Sequence, residues 1–142
     1  MDVKAISKTI FRNLKIRIIG KSEYGNERWG KADKTWYDEI HNENTELHKD
    51  FQKYFKSKND ITTILEVGCG TGVYPIQQKN LFLGKKYTGL DFSKPNIEFC
   101  KQKSDFEFIQ GDFIKINLDK KYDLVYSHAV IDHVYDIDEF LR

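Results

Sequence analysis

The residues after position 60 predict an α/β domain, a parallel sheet with flanking helices, preceded by a helical N-terminal extension. Three observations carry this. From Ile61 onward, short β-branched and aromatic runs alternate with helix-like segments, which argues parallel strands joined by right-handed crossovers. The stretch Ile64-Leu65-Glu66-Val67-Gly68-Cys69-Gly70-Thr71-Gly72 reads as a buried strand that breaks into a glycine turn and then a helix. Finally, Glu66, Asp91, Asp112 and His128 all fall at the carboxyl ends of predicted strands. In open α/β sheets that edge is where ligands bind.

The elements follow in order. Ile6, Ile10, Phe11, Leu14 and Ile18 recur at helical spacing over residues 3–19, with Lys4, Lys8, Arg12, Lys15 and Arg17 mostly off the apolar stripe. Such a helix either packs on the domain or makes a weak contact with a membrane surface or partner. Residues 20–35 are read as loop, and Tyr24 and Trp29 within it either cover a ligand site or anchor the loop. Residues 35–56 are read as helix from Trp36, Ile40, Leu47, Phe51, Tyr54 and Phe55. The division is thus an extension or lid over 1–58 and a ligand-binding domain over 59–142.

Strand one is Ile61–Val67. A helix over Val73–Leu83 has Pro75 in its first turn and Gly84 at its end. Strand two runs from Lys86 to Asp91. Ser93 is placed as the N-cap of the next helix, with Pro95 just inside. Phe106–Ile109 is strand three, ending at Gly111-Asp112, and Tyr122–Tyr126 is strand four, ending at Ser127-His128. A last helix begins within Ile131–Asp138.

Composition narrows the function. The 142 residues are 39% hydrophobic and 32% charged, ordinary for one folded domain. A net charge of +1 argues against nucleic acid as the partner. No apolar run approaches the roughly 20 residues of a membrane span. Lys4, Lys8, Arg12 and Lys15 interrupt the apolar core a signal peptide would need. Cys69 and Cys100 fit no metal-ligand spacing and no disulfide framework, so free thiols in a reducing cytoplasm, and no metal, are expected.

The glycine turn suggests a nucleotide, and its details say which. A dinucleotide fingerprint has G-x-G-x-x-G, whereas here the third glycine, Gly72, comes one residue early and Val73 stands in its place. Glu66, just ahead of the glycines, would repel a pyrophosphate and suits a ligand with a positive charge. Asp91 can accept from ribose hydroxyls, and Asp112 beside Phe113 can accept from an adenine amine.

Glu66-Val67-Gly68-Cys69-Gly70-Thr71-Gly72, Gly89-Leu90-Asp91-Phe92-Ser93, Gly111-Asp112-Phe113 and Tyr122-Asp123-Leu124-Val125-Tyr126-Ser127-His128 together resemble the successive motifs of class I S-adenosylmethionine-dependent methyltransferases, in order and at matching separations. The likeness covers roughly residues 60–140 and points to the small-molecule type. It implies a Rossmann-like sheet with S-adenosyl-L-methionine as cofactor. It also implies roles. Glu66 holds the methionine amino group through water. Gly68, Cys69, Gly70 and Gly72 let the backbone approach. Asp91 holds the ribose, with Phe92 and Ser93 beside it. Asp112 and Phe113 meet the adenine. Ser127 and His128 line the methionine end. His128 and His133 are the candidate catalytic bases, with cofactor lining and packing as their respective alternatives.

The acceptor implied is a small molecule or a glycan- or lipid-linked metabolite, since no Asn/Asp-Pro-Pro-Tyr sequence follows strand four. The resemblance also implies seven strands where this sequence supplies four, so the N-terminal part of a longer enzyme is expected. Two other functions compete: a non-catalytic S-adenosylmethionine-binding module or remnant, and a nicotinamide-dependent oxidoreductase.

Overall fold

In the computed structural model, residues 46–131, 134 and 137–141 are described. The expected basic helix over 3–19, the loop over 20–35, Asp132 and His133 lie outside them. The helix read over 35–56 is seen in its second part, α1, Glu46–Ser57. Next come β1 (Thr63–Val67), α2 (Val73–Gln77), a 3₁₀ turn (Lys79–Phe82), β2 (Lys86–Asp91), α3 (Lys94–Lys103), β3 (Glu107–Gln110), β4 (Leu124–Tyr126) and α4 (Ile137–Phe140).

All strand pairs are parallel, and the sheet order is β3-β2-β1-β4. The chain therefore moves outward from β1 to β2 and β3, then returns to lay β4 on the other side. The winding reverses between β1 and β4, which opens a crevice at their carboxyl ends.

The period of two sends alternate residues to opposite faces. On one face Ile64, Tyr87, Phe108, Leu124 and Tyr126 pack with Phe51 and Phe55 of α1, Tyr74 of α2, and Ile97 and Cys100 of α3. On the other, Leu65, Val67 and Leu90 are covered by Ile109, Phe113, Ile116, Leu118, Tyr122 and Phe140. Val125 follows the same alternation to that second face, beside the sheet's edge, and is 53% exposed.

One expected element differs. The helix read over Val73–Leu83 stops at Gln77, Gln78 leaves helical geometry, and a 3₁₀ turn follows. The tighter winding brings Phe82 into the core against Phe55, Tyr87 and Phe106. Burying that ring outweighs the helical preference of the polar residues before it. Gly84 closes the turn at φ 74°, as expected of a left-handed cap.

Candidate functional site

The site is built where four strands end. Val67 runs straight into the glycine turn, whose Gly68, Gly70 and Gly72 all hold positive φ. At Gly68 the reason is steric: a Cβ there would stand 2.3 Å from Cγ2 of Val130, which lies on the turn from the loop after β4. That same loop carries Ala129 at φ 54°, a left-handed conformation alanine rarely takes. Backbone in such a state is held by its surroundings, here the close seat of Val130 on Gly68.

The turn does not offer itself to phosphate. Gly68 and Cys69 N–H donate to Leu90 O, at 2.7 and 3.1 Å, and Gly72 N–H donates to Cys69 O at 2.8 Å. Gly70 N–H donates to Oδ2 of Asp91 at 2.9 Å. The helix behind the turn has five residues, too short for a useful dipole. Beside the turn stand two buried carboxylates, Asp91 and Glu66.

Asp91 is the hinge pin of that set. Its Oδ2 takes Gly70 N–H, its Oδ1 takes Ser93 N–H at 2.8 Å, and its carbonyl takes Gly111 N–H at 2.9 Å. One residue thus joins the ends of three strands. Burial raises its pKa, against the lowering pull of the Ser93 and Gly70 N–H groups. Ser93 occupies the N-cap position but makes no side-chain cap bond, a correction to its expected role. Its hydroxyl is fully buried and finds no hydrogen-bond partner among the described residues, because Asp91 already serves the backbone there.

Glu66 is buried, only 4% exposed. Its Oε2 accepts from Tyr126 at 2.8 Å and from Tyr87. Burial pushes its pKa up to about 7. The two phenol hydrogen bonds oppose that rise, and the charge of Asp91 adds to it. Tyr87 and Tyr126 are in turn held as phenols well above their ordinary range, chiefly by burial and then by the charge of Glu66.

The remaining expected residues gather around these. Ser127 Oγ donates to Val67 O at 2.9 Å, tying the loop after β4 to β1. His128 packs edge-on against Tyr74, ring centroids 5.4 Å apart. Asp112 closes its own turn, with Ile114 N–H on Oδ1 and Lys115 Nζ 3.6 Å from Oδ2. Phe92 is half-buried, and its carbonyl accepts from Gln110 Nε2 at 3.3 Å. Phe113 turns to the second apolar face, its ring 5.6 Å from that of Phe140. Cys69 and Cys100 are buried free thiols, each with its sulfur toward Gly70 O, at 3.9 and 3.5 Å. The pKa of Cys69 is raised, first by its hydrogen bond with Cys100 and then by burial.

Sequence reasoning missed Tyr87, Tyr126 and Val130. The signal for the tyrosines is present: with Glu66 level with Gly89 and Tyr126, the period of two puts Tyr87, Glu66 and Tyr126 on one face. Using it needs the register, which depends on the order of the strands.

The family model for a methyltransferase domain matches residues 58–142. The chain belongs to that family. This sets the oxidoreductase reading aside, in agreement with the glycine turn's committed N–H groups. Over 128 residues the methyltransferase domain and its flank are 29% identical to malonyl acyl-carrier protein O-methyltransferase 2 of Ilyobacter polytropus, covering 82% of this chain and 49% of that protein. The ubiquinone biosynthesis O-methyltransferase of Pelagibacter ubique is 29% identical over 139 residues, covering 82% and 56%. Among solved structures, the plantazolicin methyltransferase BpumL, in complex with a desmethylPZN analog and SAH, superposes with a TM-score of 0.62 at 21% identity, covering 85% of this chain and 51% of that one. The chain spans about a third to a half of the length of the first relatives it matches.

Proposed function

We propose that this methyltransferase domain binds S-adenosyl-L-methionine in the crevice between β1 and β4 and serves transfer of its methyl group to a small-molecule or carrier-, glycan- or lipid-linked acceptor. The observation that carries this is the acid set at the strand ends. Asp91 and Glu66 are close enough for the charge of one to raise the pKa of the other, and no lysine or arginine among the described residues pairs with either. Such a site repels phosphate and suits a ligand that carries cationic groups and ribose hydroxyls.

The residues fit that ligand. Asp91 holds the ribose hydroxyls through the lone pairs its two N–H partners leave. Phe92 and Ser93 flank it. Asp112, with Phe113 behind it, meets the adenine. Glu66 takes the amino group, Cys69 and the glycines shape the floor, and Ser127 and His128 line the methionine end. When bound, the cofactor supplies a sulfonium-activated methyl carbon. The chain's own part is orientation and exclusion of water, with His128 or His133 taking a proton where the acceptor must lose one.

The relatives' names support an acceptor of metabolite type, on a carrier or free. Two buried free thiols suit a reducing cytoplasm. Among the described residues no helix is long and apolar enough to cross a membrane. The alternative reading is a cofactor-binding module without turnover. Calorimetry with S-adenosylhomocysteine and NAD tests the cofactor: the first binds and the second does not. Release of S-adenosylhomocysteine in the presence of an acceptor panel separates the enzyme from the module.

A further inference from the structure

We propose that Cys100 is a positioning residue of the cofactor site: from α3, behind the glycine turn, its thiol holds the Gly70 carbonyl and so keeps the turn seated on Asp91. The inference rests on the cofactor reading given above. Cys100 is fully buried, and its Sγ lies 3.5 Å from Gly70 O. On the other side of the same residue, Gly70 N–H donates to Asp91 Oδ2 at 2.9 Å. Gly70 is therefore gripped from two elements at once, by the end of β2 through its N–H and by α3 through its C=O.

The grip closes a triangle. Asp91 Oδ1 takes the N–H of Ser93, where α3 begins, at 2.8 Å. Ser93, Ile97 and Cys100 follow at helical spacing and are all buried, so they share the inner face of α3. Two helical turns after Asp91 has anchored the start of α3, Cys100 brings the helix back to the glycine turn.

The size of the side chain is set as well as its donor. Gly72 holds φ 67°, and a Cβ there would stand 3.0 Å from Cys100 Sγ. The sulfur thus sits on the carbonyl of one glycine and against the open side of the next. Cys69 Sγ also points at Gly70 O, at 3.9 Å, but it is the adjacent residue of the turn and ties the turn to no helix. Gly70 itself, at φ 53°, has no Cβ to restrain its backbone. Without the thiol, the Gly70 peptide is freer to rotate and to release Asp91 Oδ2, the carboxylate that the ribose assignment uses.

The test compares Cys100→Ala, Cys100→Ser and Ile97→Val on the 142-residue chain, Ile97 being a second buried residue of α3. Calorimetry well below the unfolding transition gives the affinity for S-adenosylhomocysteine. NMR amide exchange is followed at Gly70 and, as a core reference, at Leu65 of β1. In Cys100→Ala the affinity falls about three- to tenfold, as loss of one hydrogen bond implies, and Gly70 exchanges faster relative to Leu65 by a similar factor. Cys100→Ser keeps a donor and recovers most of the affinity. Ile97→Val lowers the unfolding midpoint and leaves affinity and exchange ratio where they were. The Ile97 pattern in Cys100→Ala, stability lost with affinity and exchange ratio unmoved, overturns the proposal, as does a serine variant no better than alanine. If the native chain does not bind S-adenosylhomocysteine, the cofactor reading itself falls and takes this inference with it; binding that survives Cys100→Ala unchanged sinks the inference alone.

Discussion

The two ends of the β1–β4 pair use a carboxylate in opposite ways. At the amino end Asp123, exposed, gathers donors. Its Oδ2 accepts from the N–H and hydroxyl groups of both Thr62 and Thr63, at 2.8–2.9 Å. The Asp123 N–H returns a bond to Thr63 O at 3.0 Å. Its pKa is held far below the ordinary carboxylate range, first by the Thr62 N–H. At the carboxyl end Glu66 is buried, has two phenols, and is pushed the other way. The amino end spends its acid on joining strands. The carboxyl end keeps acids that burial holds above their ordinary pKa, and such perturbed groups beside one another mark a candidate place for a ligand.

The largest expected effect comes from breaking the carboxyl edge at its hinge. Asp91→Ala removes the acceptor of both Gly70 and Ser93 N–H groups. Each buried donor left alone costs about 1–3 kcal/mol. Urea unfolding should register that loss. Calorimetry should show S-adenosylhomocysteine affinity down by about a hundredfold, as loss of a charged hydrogen-bond acceptor implies. Unchanged affinity would refute the ribose assignment.

Next is the pH dependence that separates the two carboxylates. Glu66 binds its proton more tightly folded than unfolded, at about 7 against 4.5. The folded state therefore holds more protons between those values, and stability falls as pH rises through that window, by about 3 kcal/mol for this residue. Burial of Asp91 acts in the same direction. For Asp123 the sign is reversed: its contribution is present above the ordinary carboxylate pKa and is lost as pH falls below it. Urea midpoints from pH 4 to pH 8 should decline across the upper window in the native chain and flatten there in Glu66→Gln. A native chain whose stability rises from pH 5 to pH 7 would contradict the burial of Glu66.

A smaller effect tests the other edge. Asp123→Ala strips the acceptor from Thr62 and Thr63, but the site is exposed and water replaces it. The melting temperature should drop by less than in Asp91→Ala, and ligand affinity should stay within about twofold, since distant sites act independently. A large loss of affinity would mean that the two ends of the strands are coupled.

The difference between the edges also explains what could be read from the chain. Parallel strands, the glycine turn and the acids at strand ends are local patterns, and each was legible: Glu66, Asp91 and Asp112 sit where spacing put them. The partners of Glu66 were not, because Tyr87 and Tyr126 reach it from neighbouring strands 21 and 60 residues away. The helix beyond Gln77 was overread because local polarity hid the demand of one buried ring, Phe82. Site roles resting on two or more strands come from topology, which residue order alone does not display.

Ser93 gives the finest test of that distinction. Local pattern makes it a capping serine, and replacing such a cap with alanine typically costs about 1 kcal/mol. The structure gives the cap's work to Asp91, whose Oδ1 takes the Ser93 N–H, while the Ser93 hydroxyl is buried with no hydrogen-bond partner among the described residues. Removing a hydroxyl that has lost water and gained nothing should be close to neutral, within about 0.5 kcal/mol. Unfolding of Ser93→Ala without ligand measures this directly, and a loss of a full cap's worth would restore the local reading. Calorimetry on the same variant asks the second question. If the hydroxyl's partner is the cofactor, affinity for S-adenosylhomocysteine falls by about three- to tenfold while stability holds. A serine that matters only when ligand is present belongs to the carboxyl edge's unmet demand, whereas one that matters in neither assay is packing.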